Sequence, residues 1–343
     1  MIKDLLKDAF ILKANGYYKH AIEIFYKALE IENNSDELFF EIADSYFLMG
    51  DLERALSYLE QILEKNPAHI ESLKLLKKAF IAKQAWAEAE QTAKNIYCIS
   101  NKTEDLLEIL RFLNKQNRYE EVAQFILEDE SSQILYEKAF AEYYLRRFDN
   151  AKNYIIQALD KDCGNQKYLL LLGNIYLQIN QDEQALEVLN KLEADDSFDF
   201  LIFSGLVKQR CGEYKKAIQS FLQAIKKTKN EGQCYYNCAS TYFKMGEKDN
   251  AKKYYNLAIL KEPDNDAYHL ALANLYYADK NYKRAYEELN FDTHEARLLK
   301  AIILFDTGYY ALAQKEFEKL AQETPEDEMV ILYSKKIEEK FQN

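Results

Sequence analysis

A period of about 34 residues runs through this 343-residue chain and constrains its fold more than any other feature. Turn residues recur at Gly16, Gly50, Gln84, Asn117, Arg147, Asn180, Gly212, Gly246, Lys280 and Gly308, at intervals of 34, 34, 33, 30, 33, 32, 34, 34 and 28. Four or five residues after each turn stands Ala21, Ala55, Ala89, Val122, Ala151, Ala185, Ala217, Ala251, Ala285 or Ala313. An aromatic often follows the turn directly, as at Tyr18, Trp86, Tyr119, Phe148, Tyr214, Tyr282 and Tyr310. Two antiparallel helices joined by a tight turn approach closely only where the contact carries a small side chain. Glycine at the turn accepts the left-handed conformation that ends the first helix. Breakers are otherwise scarce. Nine glycines and three prolines fall well short of the usual share of about 12% for the pair, too few for the many turns of a sandwich or barrel. With 48% hydrophobic and 30% charged residues, the chain is expected to be all-α, with an extended core.

Several segments resemble tetratricopeptide repeats. They include Gly50-Asp51-Leu52-Glu53-Arg54-Ala55 through Asn66-Pro67, Gly246 through Ala251, Ala258 and Pro263, and Leu172-Gly173, Tyr176, Ala185 and Leu189 within residues 166–197. The resemblance implies a right-handed superhelical solenoid of about ten helix-turn-helix repeats over residues 1–327 and a C-terminal capping helix over 328–343. That cap is expected to carry Met329, Leu332, Tyr333, Ile337 and Phe341 on one inward face and to end the array, with no catalytic domain beyond it. Repeats 3, 4 and 5 depart most, with Gln84, Asn117 and Arg147 in place of glycine. Repeats 4 and 9 place Asp129 and Asp292 where Ala28, Ala158, Ala224 and Ala258 permit close packing. Burying an unpaired carboxylate costs several kcal/mol. The second helices of those repeats are therefore expected to be short, with changes of curvature near 128–132 and 291–293.

The chemistry of the chain argues against most functional classes. Lys and Arg total 45 against 57 Asp and Glu, a net charge of −12, which repels phosphate backbones and anionic bilayers and excludes nucleic acid as the expected partner. No apolar run of about 18 residues is present, so membrane insertion is not expected. Five cysteines, an odd and scattered set, read as reduced thiols of a cytoplasmic protein. Cys234 and Cys238, four residues apart, fit the small-residue contact column and are expected to be reduced and metal-free. His20, His69, His269 and His294 share no ligand or protease spacing. With no phosphate-cradling glycine loop and no nucleophile motif, the chain reads as non-enzymatic, with no catalytic residue, metal or cofactor.

In the resembling family the concave surface is lined by first-helix positions 2, 5, 6, 9, 12 and 13. Transferred by register, these place Asn174, Phe203, Tyr236, Asn237, Phe243, Asn274 and Tyr277 in a groove. The asparagine amides would pair with a peptide backbone and the aromatics would receive apolar anchors. Repeats 1 to 4 instead offer a mixed-charge surface that includes Glu41, Asp44, Lys74, Lys78, Glu108 and Arg111. The Lys and Asn set with which some family members grip a C-terminal carboxylate is broken here, because Glu108 stands where asparagine is required. The expectation is a protein-interaction scaffold or adaptor that binds a peptide segment of a partner protein. The alternative is a structural or regulatory subunit held permanently in a larger complex by its convex or terminal surfaces.

Overall fold

A computed structural model of the chain describes residues 2–32, 35–125, 131–228 and 231–342. Among them are twenty-one α-helices and no strand. They form two compact units, residues 1–171 and 172–343. The first contains α1 (Ile2–Ala14), α2 (Tyr18–Ile31), α3 (Asp36–Met49), α4 (Leu52–Lys65), α5 (Ile70–Ala82), α6 (Trp86–Ser100), α7 (Thr103–Lys115), α8 (Tyr119–Gln124), α9 (Ser132–Tyr144) and α10 (Phe148–Lys161). Helix α11 (Gln166–Gln178) carries the division. The second contains α12 (Asp182–Lys191), α13 (Phe198–Arg210), α14 (Tyr214–Ile225), α15 (Gly232–Lys244), α16 (Lys248–Lys261), α17 (Asp266–Ala278), α18 (Tyr282–Glu288), α19 (His294–Asp306), α20 (Tyr310–Glu323) and α21 (Glu328–Gln342). These are ten helix pairs and a terminal helix, a helical repeat solenoid.

Each pair closes through the same turn. A residue one or two positions past the end of the first helix takes a left-handed conformation, at Gly16, Gly50, Gln84, Asn117, Arg146, Asn180, Gly212, Gly246, Lys280 and Gly308. The next N–H donates to the carbonyl five residues back, as from Asp51 to Tyr46 at 3.0 Å and from Glu247 to Tyr242 at 2.9 Å. This satisfies carbonyls that the helix end would otherwise orphan. The fifth turn corrects the sequence reading. Arg146, not Arg147, is left-handed, and Arg147 is the N-cap of α10, its N–H on the Glu142 carbonyl at 2.9 Å. The small residue then follows every turn at a constant distance of five, and all ten are buried, from Ala21 to Ala313.

The core is built from these small residues and the large ones opposite them. In the second unit the Phe203 ring fills the space over Gly173, where an added Cβ would stand 2.3 Å from Cζ, and Phe221 does the same over Gly205 at 2.4 Å. Helix α18 ends at Glu288, before Asp292, which stays exposed with its carboxylate 3.3 Å from Arg297 Nε. Helix α8 ends at Gln124, and Asp129 lies outside the described residues. Helix α21 packs through Val330, Tyr333 and Ile337, with Tyr333 stacked on Phe317 at 5.5 Å. Met329, Leu332 and Phe341 are exposed, not inward as expected. The 3 and 4 spacing of 330, 333 and 337 defines the inward strip, and 329 and 332 fall to its side.

Candidate functional site

The first helices of the two units present chemically different faces. In the first unit Glu41, Asp44, Glu108 and Arg111 find partners across successive first helices. Lys13 of α1 reaches Glu41 and Asp44 of α3, both at 2.5 Å. Burial opposes its charge, but those carboxylates outweigh it and hold the ammonium above its ordinary pKa. Lys77 of α5 pairs with Glu108 of α7. Arg111 of α7 donates from Nε to the buried Glu137 of α9 at 3.2 Å, and Asn114 donates to the same carboxylate at 2.8 Å. Part of the mixed-charge surface is thus an internal ladder of ion pairs, whereas Lys74 pairs with Glu71 of its own helix.

In the second unit the corresponding positions are mostly apolar or aromatic, and Leu177, Phe203, Leu299 and Ile302 among them are buried. Among the described first-helix residues of α13, α15, α17 and α19, Phe243 is the exposed large apolar side chain, at 45%. Tyr236 is half-buried and stacks on Tyr268 with centroids 5.1 Å apart. Tyr277, also half-buried, donates its hydroxyl to Asp306 at 2.6 Å. Burial first, and then the Asp306 carboxylate, push that phenol well above its ordinary pKa. Asn274 is exposed, its amide nitrogen on the Leu270 carbonyl of its own helix at 3.0 Å. Asn174 of α11 is half-buried.

Two of the expected groove residues are interior. Phe203 is fully buried because Gly173 opens a socket for its ring, so it anchors the helix stack and offers nothing to a ligand. Asn237 is buried, and its amide oxygen accepts from Gln233 Nε2 at 3.1 Å. It belongs to a polar chain that the register argument passed over. The Thr241 hydroxyl donates to the Asn237 carbonyl at 2.7 Å and accepts from Gln209 Nε2 at 2.7 Å, and Gln209 Oε1 accepts from Lys244 Nζ at 3.2 Å. The four-residue spacing of Gln233, Asn237 and Thr241 was the available signal. The chain fixes α13 against α15 and holds Lys244, which follows Phe243, beside a neutral partner. Cys234 and Cys238 lie in the adjoining core, where burial pushes their thiols up to about 11 and about 12. No group of His, Cys, Asp or Glu among the described residues is placed to hold a metal.

Comparison with known proteins fits this architecture. The profile of anaphase-promoting complex, cyclosome, subunit 3 matches residues 14–96, and that of the tetratricopeptide repeat matches residues 144–206 and 212–275. The chain belongs to the tetratricopeptide-repeat family. A TPR repeat-containing protein of Methanocaldococcus jannaschii is 24% identical over 306 residues, 80% of this chain and 53% of its own length. Anaphase-promoting complex subunit 3 of Schizosaccharomyces pombe is 25% identical over 165 residues, 46% of this chain and 25% of that protein. The chain therefore spans about half of one relative and a quarter of the other. The crystal structure of the APC/C hetero-tetramer Cut9–Hcn1 superposes with a TM-score of 0.55 at 12% identity, covering 97% of this chain and 75% of that one. It shares the fold. Tetratricopeptide-repeat proteins typically serve as non-enzymatic scaffolds that mediate protein–protein interactions. No helix among the described residues is long and apolar enough to cross a membrane.

Proposed function

We propose that this tetratricopeptide-repeat protein is a non-enzymatic cytoplasmic scaffold that takes a peptide segment of a partner protein across the first-helix face of its second unit. The observation that carries the reading is Phe243, a phenylalanine 45% exposed on α15, the helix that also carries the half-buried Tyr236, with Tyr277 half-buried on the next first helix, α17. An exposed aromatic side chain is the type of residue that anchors a protein partner. Asn274, exposed on the adjacent first helix, adds a donor and an acceptor suited to a peptide backbone. Phe203 and Asn237 are buried within the first helices α13 and α15 of the same unit. The net charge of −12 favours a protein partner over nucleic acid.

Affinity capture with the full chain would identify the partner, and its binding would then be measured directly. Phe243→Ala is expected to weaken it by about 2 kcal/mol or more, the loss that marks an anchor residue. Asn274→Ala should cost about 0.5–1.5 kcal/mol, one backbone hydrogen bond. Unchanged affinity in both variants, with unchanged melting temperature, would remove the face from recognition. A second reading, a permanent subunit of a larger assembly, draws on the match of residues 14–96 to the subunit 3 profile and on the open side of α21 at Met329, Leu332 and Phe341. Stoichiometric recovery of one large complex, insensitive to Phe243→Ala, would favour it.

A further inference from the structure

The outer side of α18 and the start of α20 carry a surface that the peptide face does not use. Lys283, Tyr286 and Glu287 lie there, each exposed, and line a cavity of about 420 Å³ together with Tyr282, Ile303, Leu304, Thr307 and Tyr309. Tyr286 is 45% exposed, Tyr309 62%, and Leu312, one turn further along α20, 54%. Lys300 Nζ stands 5.9 Å from the Tyr286 ring. Among the described residues, neither Lys283 nor Glu287 forms an ion pair with a neighbour, although the two are four residues apart on one helix.

A cation and an anion at i and i+4, both unpaired and flanking a tyrosine, form a pattern complementary to itself when reversed. In an antiparallel crossing of two identical helices about a twofold axis, Lys283 of each copy meets Glu287 of the other and the two Tyr286 rings meet at the centre. The apolar rim of Tyr309 and Leu312 and the open cavity beside it would be covered in the same step, as the core of an interface requires. We propose that this surface docks a second copy of the chain, giving a twofold dimer through α18.

The test is sedimentation equilibrium of the full chain across the micromolar range. The parent should shift from monomer to dimer with concentration. Lys283→Glu and Glu287→Lys should each raise the dimer dissociation constant by about tenfold or more, since each places like charges opposite one another. The double variant Lys283→Glu with Glu287→Lys should bring it back to near the parent value, because the reversed pairs meet again across the axis. Phe243→Ala should leave self-association unchanged, which separates this surface from the peptide face. Circular dichroism melts check that each variant folds. A parent that stays monomeric, a dimer indifferent to the single reversals, or single-variant losses that the double variant fails to restore would each overturn the proposal.

Discussion

Arg146 holds a backbone conformation, φ of +59°, that costs an L residue about 1–2 kcal/mol and costs glycine almost nothing sterically. Five of the ten intra-repeat turns use glycine there, and five use Gln84, Asn117, Arg146, Asn180 and Lys280. Arg146 is exposed, so its replacement removes little besides the strain. Arg146→Gly should stabilise the first unit by about 1 kcal/mol after glycine's greater freedom in the unfolded chain is counted, measured as a raised urea midpoint. Arg147→Gly, at an N-cap with φ of −90°, should not. Equal effects at the two positions would contradict the turn assignment. The pair also shows where the sequence stops speaking. The glycine turns are visible directly, and the non-glycine ones through the small residue, alanine or Val122, five residues on, but two adjacent arginines carry no local mark of which one turns. Once 146 is taken, the next interval becomes 34, and the irregularity collects in repeat 4. Phe203 and Phe243 pose the same problem at the site. Both occupy groove positions by register, and only the missing Cβ of Gly173 sends the Phe203 ring inward.

Helix periodicity placed every pair of helices, and the two short second helices follow from where their columns stop offering small residues. Less legible was the first unit's first-helix face, where a mixture of charges reads as solvated surface until neighbouring helices bring the partners together. The same hidden pairing occurs at the second helices, between one repeat and the next. Glu90 of α6, buried, meets Lys94 at 2.6 Å and Arg118 from the next turn. Burial alone would raise its pKa, but the hydrogen bonds and charges of Lys94 and Arg118 outweigh it and hold the carboxyl below its ordinary value. A carboxyl whose folded pKa lies below its unfolded one contributes stability above the unfolded value, about 4.3, and that contribution fades as pH falls through the folded value. The first unit should therefore lose stability as the medium is acidified below about pH 4.5. Glu90→Gln should cost about 2 kcal/mol at neutral pH and flatten this acid dependence. Trp86, in the same helix and 6.1 Å from Phe112, reports the unfolding. A Glu90→Gln variant as stable as the parent at pH 7 and equally acid-sensitive would show that the Glu90 pairs contribute nothing net.

A repeat array is held by contacts between neighbouring repeats, so its cooperativity extends only as far as those interfaces are strong. The division into residues 1–171 and 172–343 therefore makes a claim about unfolding as well as about packing. The chain contains one tryptophan, Trp86, and it lies in the first unit. Its fluorescence consequently follows that unit alone, while far-ultraviolet circular dichroism follows helices throughout. Phe221 is fully buried in the second unit and seals the open side of Gly205. Phe221→Ala removes about 3–5 kcal/mol of transfer and packing energy at a point remote in sequence from Trp86. If the units unfold separately, the circular dichroism of this variant should decay in two steps in urea, the first at lower denaturant than in the parent. The Trp86 transition should stay at the parent midpoint. The reciprocal variant, Glu90→Gln, should move the fluorescence transition and only part of the circular dichroism. Coincident single transitions in both variants, shifted together, would mean that the array unfolds as one cooperative body and that its two-unit division has no thermodynamic counterpart.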